Sequence, residues 1–332
     1  MNRFIFNYTV VTLLMCISLV ACSNNTIKEY HETSRNNVID IASLIVSIED
    51  NLPPINSFAV PIIAGDTLIL LDYRSTDFLF TAYDIYNDSV IGRFGKYGTG
   101  PGEAGNPLFR FYNKYNKNLY IGNANRGKLT SYYLPESVSD STYNAIERMP
   151  MNFFKGILSP HVIDESMVIC TTYSDLTARD SRLSTLNLDT GEISVIDSMA
   201  PRMTAAIAVS EKDNLIYSAD IKHDLIRLFD LDGKLYGVVY GPEYDENADD
   251  NDYFFSTSEI CGNQVASIYT GRNSEKRRSR IIMTDLKGRY IKTLRFDETI
   301  HGMQYHDKTG RLYLTTTGEP QIGYIELDKI PD

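Results

Sequence analysis

Short runs of alternating apolar and polar residues, bounded by turn formers, fill most of the chain, and one of them recurs. Asp66-Thr-Leu-Ile-Leu is echoed by Lys117-Asn-Leu-Tyr-Ile, Glu165-Ser-Met-Val-Ile, Asp213-Asn-Leu-Ile-Tyr, Gly262-Asn-Gln-Val-Ala and Gly310-Arg-Leu-Tyr-Leu, at spacings of 51, 48, 48, 49 and 48 residues. A two-residue period predicts strands, and a near-constant repeat of strands without helical periodicity predicts a β-propeller with one blade per repeat. The expected fold is therefore all-β: a six-bladed propeller of four-stranded blades. In the first repeat the strands fall at Ala59–Ile63, Thr67–Leu71, Phe78–Tyr83 and Ser89–Phe94. Later hairpins between third and fourth strands end on Gly191, Gly233 and Gly288, which supply the positive φ of a tight turn. The last repeat ends at Asp332 with room for three strands only. An open blade would expose an unpaired edge, so the apolar segment Val38–Ile48 is expected to return as the missing outer strand.

The first 21 residues have the pattern of a secretory signal: Arg3 is their only charge, Val10 to Val20 are largely apolar, and Leu-Val-Ala-Cys22 closes the run. Such a run falls short of the roughly 20 residues that span a bilayer. The ending resembles the lipobox of bacterial lipoproteins, which implies acylation of Cys22 and membrane attachment through lipid. Ser23 resembles a signal for passage to the outer membrane, and the polar stretch 22–37 is expected to be a flexible tether ahead of a single domain, 38–332.

Net charge narrows the partners. At −11 the chain repels phosphate backbones, so nucleic acid is not an expected partner. Of four cysteines, Cys16 leaves with the signal and Cys22 is the lipid site. Cys170 and Cys261 fall in non-adjacent repeats, too far apart for a disulfide, and read as buried thiols. Trp is absent, whereas Tyr is abundant at 23 residues. Tyr83, Tyr120, Tyr217 and Tyr313 lie within strands and are expected between blades.

Loops linking second to third strands, and connectors between blades, gather on one face of a propeller. That arrangement places Tyr73, Arg74, Asn125, Arg126, Tyr173, Arg179, His223, Arg272 and Arg277 together as a candidate ligand-binding face. Guanidinium groups in a ring suit carboxylate, phosphate or acidic-sugar recognition, while pairing with Asp77, Asp175, Asp180 and Asp220 is the alternative. The glycine-rich connector Gly95–Glu103 is expected to make a tight crossing between blades. The run Asp245–Asp252 lacks calcium-loop spacing and is expected to be a solvated loop. No cofactor, metal site or catalytic residue is expected. Among the inner strands only Glu259 is a carboxylate, with His161 and His301 on other blades, too few to converge on a metal.

The repeat pattern, the lipobox and Gly95-Lys-Tyr-Gly-Thr-Gly-Pro-Gly-Glu103 together resemble the TolB-like six-bladed propeller lipoproteins of Gram-negative bacteria, within the wider NHL-like propellers. The resemblance covers Ile55 to the C-terminus and departs from the wider group in having the Gly-Pro-Gly-Glu connector once. It implies a six-bladed fold and a lipid-anchored place in the cell envelope and offers no catalytic residues to carry over; the expected function is a non-catalytic binding module for a small anionic ligand or a partner protein. The alternative is a metal-dependent lactonase or esterase similar to the gluconolactonase-type propellers.

Overall fold

The computed structural model describes residues 27–55, 59–123, 126–150, 156–173, 181–196, 205–247, 252–272 and 279–331. Three short strands come first: β1 (Lys28–His31), β2 (Val38–Asp40) and β3 (Val46–Ser47). Blade one comprises β4 (Ala59–Ala64), β5 (Thr67–Asp72), β6 (Phe78–Asp84) and β7 (Ser89–Lys96). Blade two has β8 (Pro107–Asn113), β9 (Asn118–Asn123), β10 (Lys128–Tyr133) and β11 (Ile146–Pro150), with helix α1 (Leu134–Ser139) between the last two. Blade three is β12 (Ile157–Val162), β13 (Met167–Tyr173), β14 (Ser181–Asn187) and β15 (Ile193–Val195). Blade four is β16 (Ala205–Ser210), β17 (Leu215–Asp220), β18 (Leu225–Phe229) and β19 (Leu235–Tyr240). Blade five holds β20 (Tyr253–Cys261), β21 (Gln264–Gly271), β22 (Arg280–Asp285) and β23 (Tyr290–Arg295), and blade six holds β24 (Ile300–His306), β25 (Arg311–Thr316) and β26 (Ile322–Glu326). The six sheets form a ring whose innermost strands touch in blade order, with β24 against β4 at the closure.

The expected latch is present, and it reaches further than expected. Strand β3 pairs antiparallel with β26, Tyr324 opposite Val46, and completes blade six. Gly323 allows that approach, because a Cβ there would lie 2.6 Å from the Val46 carbonyl oxygen. Before it, β2 adds in parallel to β23 and β1 adds in parallel to β19, so blades four and five each carry a fifth strand. From Lys28 onward, the stretch expected as a tether is instead a strap along the outer edges of three blades. The physical reason is that an exposed blade edge offers unpaired backbone groups, and even a polar segment such as Lys28-Glu-Tyr-His31 satisfies them. The strap also inserts side chains between blades. Ile41 is fully buried with Leu294, Leu314 and Ile325 between blades five and six, and Ile48 packs with Leu68, Tyr83, Tyr313 and Tyr324 between blades six and one. Tyr120 and Tyr217 are buried too, as their place within strands predicts.

The turns follow the local chemistry. Gly191, Gly233 and Gly288 close their hairpins with φ of 72°, 81° and 75°. At Gly233 a Cβ would meet the Ile196 carbonyl oxygen at 2.6 Å, so close approach and backbone conformation both require glycine. Cys170 and Cys261 are buried free thiols on blades three and five.

Candidate functional site

The six innermost strands enclose a central channel of about 420 Å³. Its wall mixes aliphatic side chains such as Ile62, Leu158 and Ile207 with polar ones such as Ser256, Thr257 and Ser258. Among the inner strands β4, β8, β12, β16, β20 and β24, the only arginine or lysine is Arg110 on β8 and the only acid is Glu259 on β20. Both line the channel. Blades two and five are third neighbours in a ring of six, so the two side chains come from opposite walls.

The Glu259 carboxyl is held by Gln304 on β24. Gln304 Oε1 accepts the Ile63 N–H at 3.2 Å, which orients the amide so that Nε2 donates to Glu259 Oε1. Blades five, six and one are thereby joined at one point. Burial pushes the Glu259 carboxyl up to about 8, opposed by the Gln304 hydrogen bond and by the positive charge of Arg110, so the group is mainly protonated at neutral pH. Arg110 Nη1 donates to the Tyr73 hydroxyl at 3.1 Å, and among the described residues no carboxylate lies within ion-pair distance of it. The channel therefore carries a half-buried cation facing a neutral acid. At its mouth, Leu108 and Tyr253, also on opposite blades, are 48% and 42% exposed.

His161 lines the same channel, with Nε2 2.8 Å from the Ile207 carbonyl oxygen. A carbonyl only accepts, so Nε2 carries the proton, and burial lowers the pKa of the ring, which is neutral. His301 is shifted the same way by burial. Among the described residues no group of three His, Cys, Asp or Glu side chains is placed to hold a metal ion.

The residues of the sequence-predicted face fare differently from one another. Tyr73 reaches the channel through Arg110. Arg126 is engaged within the protein: Nε and Nη2 lie 2.9 and 2.6 Å from Glu147 Oε1, and Nη1 donates to the Thr99 carbonyl at 3.2 Å. His223 lies 3.3 Å from Asp220, which Arg227 also contacts at 2.9 Å. Arg272 Nη2 donates to Asp245 at 2.7 Å, placing one end of the acidic run in an ion pair. Arg74 is exposed, and its backbone N–H donates to Asp72. Tyr173 ends β13, where only its backbone is described. Asn125, Arg179 and Arg277 lie outside the described residues, as does Cys22. Sequence reasoning passed over Arg110, although its standing as the lone basic residue of the inner strands was the signal that marks it.

The glycine-rich connector fills its own amides. Glu103 Oε2 accepts the Gly100 N–H at 2.8 Å and lies where a Cβ of Gly98 would project, while the Gly98 N–H donates to the Ala104 carbonyl at 3.1 Å. The spacing Gly98-Thr-Gly-Pro-Gly-Glu103 thus lets a carboxylate fold back onto the loop, giving a tight crossing with an internal anion already in place.

No protein-family model matches the chain, and no curated protein matches it in sequence. Solved structures do match in fold. A member of the DUF4221 family from Bacteroides vulgatus aligns over 85% of this chain and 95% of its own, with 10% identity and a TM-score of 0.58. A luciferin-regenerating enzyme aligns over 85% and 94%, with 11% identity and a TM-score of 0.56. A gluconolactonase from Xanthomonas campestris aligns over 86% and 89%, with 13% identity and a TM-score of 0.55. At such identities the likeness is one of fold: this chain is a six-bladed β-propeller.

Proposed function

We propose that the chain is a membrane-anchored binding module of the cell envelope, and not a hydrolase. The observation that carries the non-catalytic reading is the chemistry of the channel. Among the described residues its one carboxyl accepts from the Gln304 amide, with burial pushing it up to about 8, and its histidine donates to a backbone carbonyl. The divalent metal of gluconolactonase-type propellers does not fit these residues, because such a site needs three or four converging ligands and, among the described residues, no three His, Cys, Asp or Glu side chains come together. The signal-like residues 1–21 and the Leu-Val-Ala-Cys22 ending support a lipid on Cys22, and Ser23 supports the outer membrane as destination. A TolB-like lipoprotein is the finer family reading. Its partners are the membrane, through lipid, and either a small anion or an envelope protein at the face of loops bearing Tyr73, Arg74, Arg126, His223 and Arg272. The net charge of −11 disfavours nucleic acid.

Two measurements test the reading. In a Gram-negative host fed an alkyne fatty acid, the full chain is expected to take up label and to need detergent for release, with both properties lost in Cys22→Ser. The purified protein is expected to leave gluconolactone and p-nitrophenyl acetate unhydrolysed with or without calcium or zinc. Turnover abolished by Glu259→Gln would establish the hydrolase instead.

A further inference from the structure

The reading above leaves open what chemistry the channel accepts. Arg110 is a guanidinium on the wall of a cavity that mixes aliphatic and polar side chains, and its described hydrogen-bond partner is a neutral phenol. A cation in that setting lacks the counter-charge that protein interiors ordinarily supply. Glu259, on the facing wall, is not that counter-charge. Its Oε1 takes the Gln304 amide hydrogen, and a protonated carboxyl offers its remaining hydrogen to the channel instead of repelling an anion. The cavity is therefore polarised: one bidentate donor on blade two, hydrogen-bonding carboxyl and amide groups across from it, and an apolar lip at Leu108 and Tyr253.

We propose that the central channel is a binding site for a small organic carboxylate, whose carboxylate pairs with Arg110, whose polar end meets the Glu259–Gln304 pair, and whose apolar body lies between Leu108 and Tyr253. The planar fork of a guanidinium matches a carboxylate, which accepts two parallel N–H bonds. A cavity of about 420 Å³ falls within the range of small-molecule sites, roughly 300–1,000 Å³. This assignment rests on the binding reading of the protein but is separable from lipid anchoring and from the loop arginines. Arg126 and Arg272 already hold Glu147 and Asp245, whereas Arg110 holds no carboxylate among the described residues.

Benzoate and its neutral isostere benzamide serve as probes in titration calorimetry on the full chain in detergent. Benzoate is expected to bind saturably at one site per chain, with a dissociation constant of about 10 mM or tighter for a ligand of its size. Benzamide should bind at least tenfold more weakly. Arg110→Met should weaken benzoate at least tenfold, and Arg110→Lys, which keeps the charge and loses the fork, should weaken it by less. Arg289→Ala, at an exposed hairpin where the arginine pairs with Asp285 outside the channel wall, should leave it within twofold. Circular dichroism confirms that each variant is folded; should Arg110→Met not fold, Arg110→Lys together with the benzoate-to-benzamide ratio decides. The proposal is overturned by absence of saturable benzoate binding, by equal affinity for benzamide, or by benzoate affinity that is indifferent to Arg110 in a folded variant. Its failure is distinct from that of the binding-module reading, which falls only if ester or lactone turnover is found.

Discussion

Replacing Arg35 by methionine tests how the strap is held, because the arginine sits where β1 passes from blade four towards blade five. Its Nε donates to Glu32 at 2.9 Å and its Nη1 to Asp224 at 2.8 Å, with the guanidinium carbon 5.2 Å from the centre of the Tyr269 ring. The three side chains are 8%, 3% and 0% exposed, so this is a buried ion triad and not a surface bridge. Other donors fix the acids: the Tyr290 N–H reaches Glu32 at 2.7 Å, and the Glu243 N–H reaches Asp224 at 3.1 Å. Removing the cation leaves two carboxylates facing each other away from water. Breaking one buried pair typically costs about 3–5 kcal/mol. With m of about 3 kcal/mol/M in urea, the midpoint should fall by roughly 1–1.7 M, followed by far-ultraviolet circular dichroism. The pH dependence gives a second check. Burial raises the pKa of both Glu32 and Asp224 above the unfolded values even with Arg35 present, and more so without it. A raised acid contributes stability at low pH and loses it as pH rises through the folded value. The gap between wild type and Arg35→Met should therefore narrow in acid, as both carboxyls protonate. Adding Glu32→Gln and Asp224→Asn to Arg35→Met should recover part of the loss at neutral pH. A midpoint within about 0.3 M of wild type, or a gap that does not narrow below pH 5, would refute the account.

Further outcomes follow from the same packing. Ile41→Ala empties a fully buried strap site between blades five and six and should cost about 2–5 kcal/mol in urea denaturation. Gly323→Val sets a side chain against the Val46 carbonyl and should release β3, seen as new hydrogen exchange confined to Val46–Ser47 and β26. For Glu259, with Gln304, Arg110 and Cys261 as its neighbouring groups, the folded pKa lies above the ordinary value, so its contribution is complete below pH 4.5 and lost as pH rises through about 8. Glu259→Gln should remove that loss, and its stability relative to wild type should grow by about 1–3 kcal/mol between pH 6 and pH 9, measured by urea titration at each pH. Cys170 and Cys261 are buried, and burial raises the pKa of both thiols, so a disulfide reagent should label neither in native protein and label them on denaturation.

What could be seen in the amino-acid order is what local periodicity encodes. A strand repeat of near-constant length, turn glycines and a last repeat one strand short are sufficient for six blades and for a latch drawn from Val38–Ile48. The tether was misjudged because Lys28–His31 is polar, and a polar segment reads as loop until an unpaired edge is known to lie beside it. Tyr73, Arg74, Arg126, His223 and Arg272 do lie between strands, but their ion-pair partners were not legible. Arg126 pairs with Glu147 on β11, the outer strand of the same blade, and Arg272 with Asp245 from the preceding connector, partners set by three-dimensional proximity.

The repeat by itself determined the number of blades, the hairpin turns and the need for an N-terminal strand, since each depends on hydrogen bonding and patterning between residues close in sequence. Only the tertiary structure decided that Arg110 faces Glu259 across a closed ring, 149 positions apart in the chain, and that Arg35 is buried against Asp224. Ring closure sets those distances, and with them the burial that shifts proton affinities. Neither exists until six sheets that look alike in sequence are wound into one wheel.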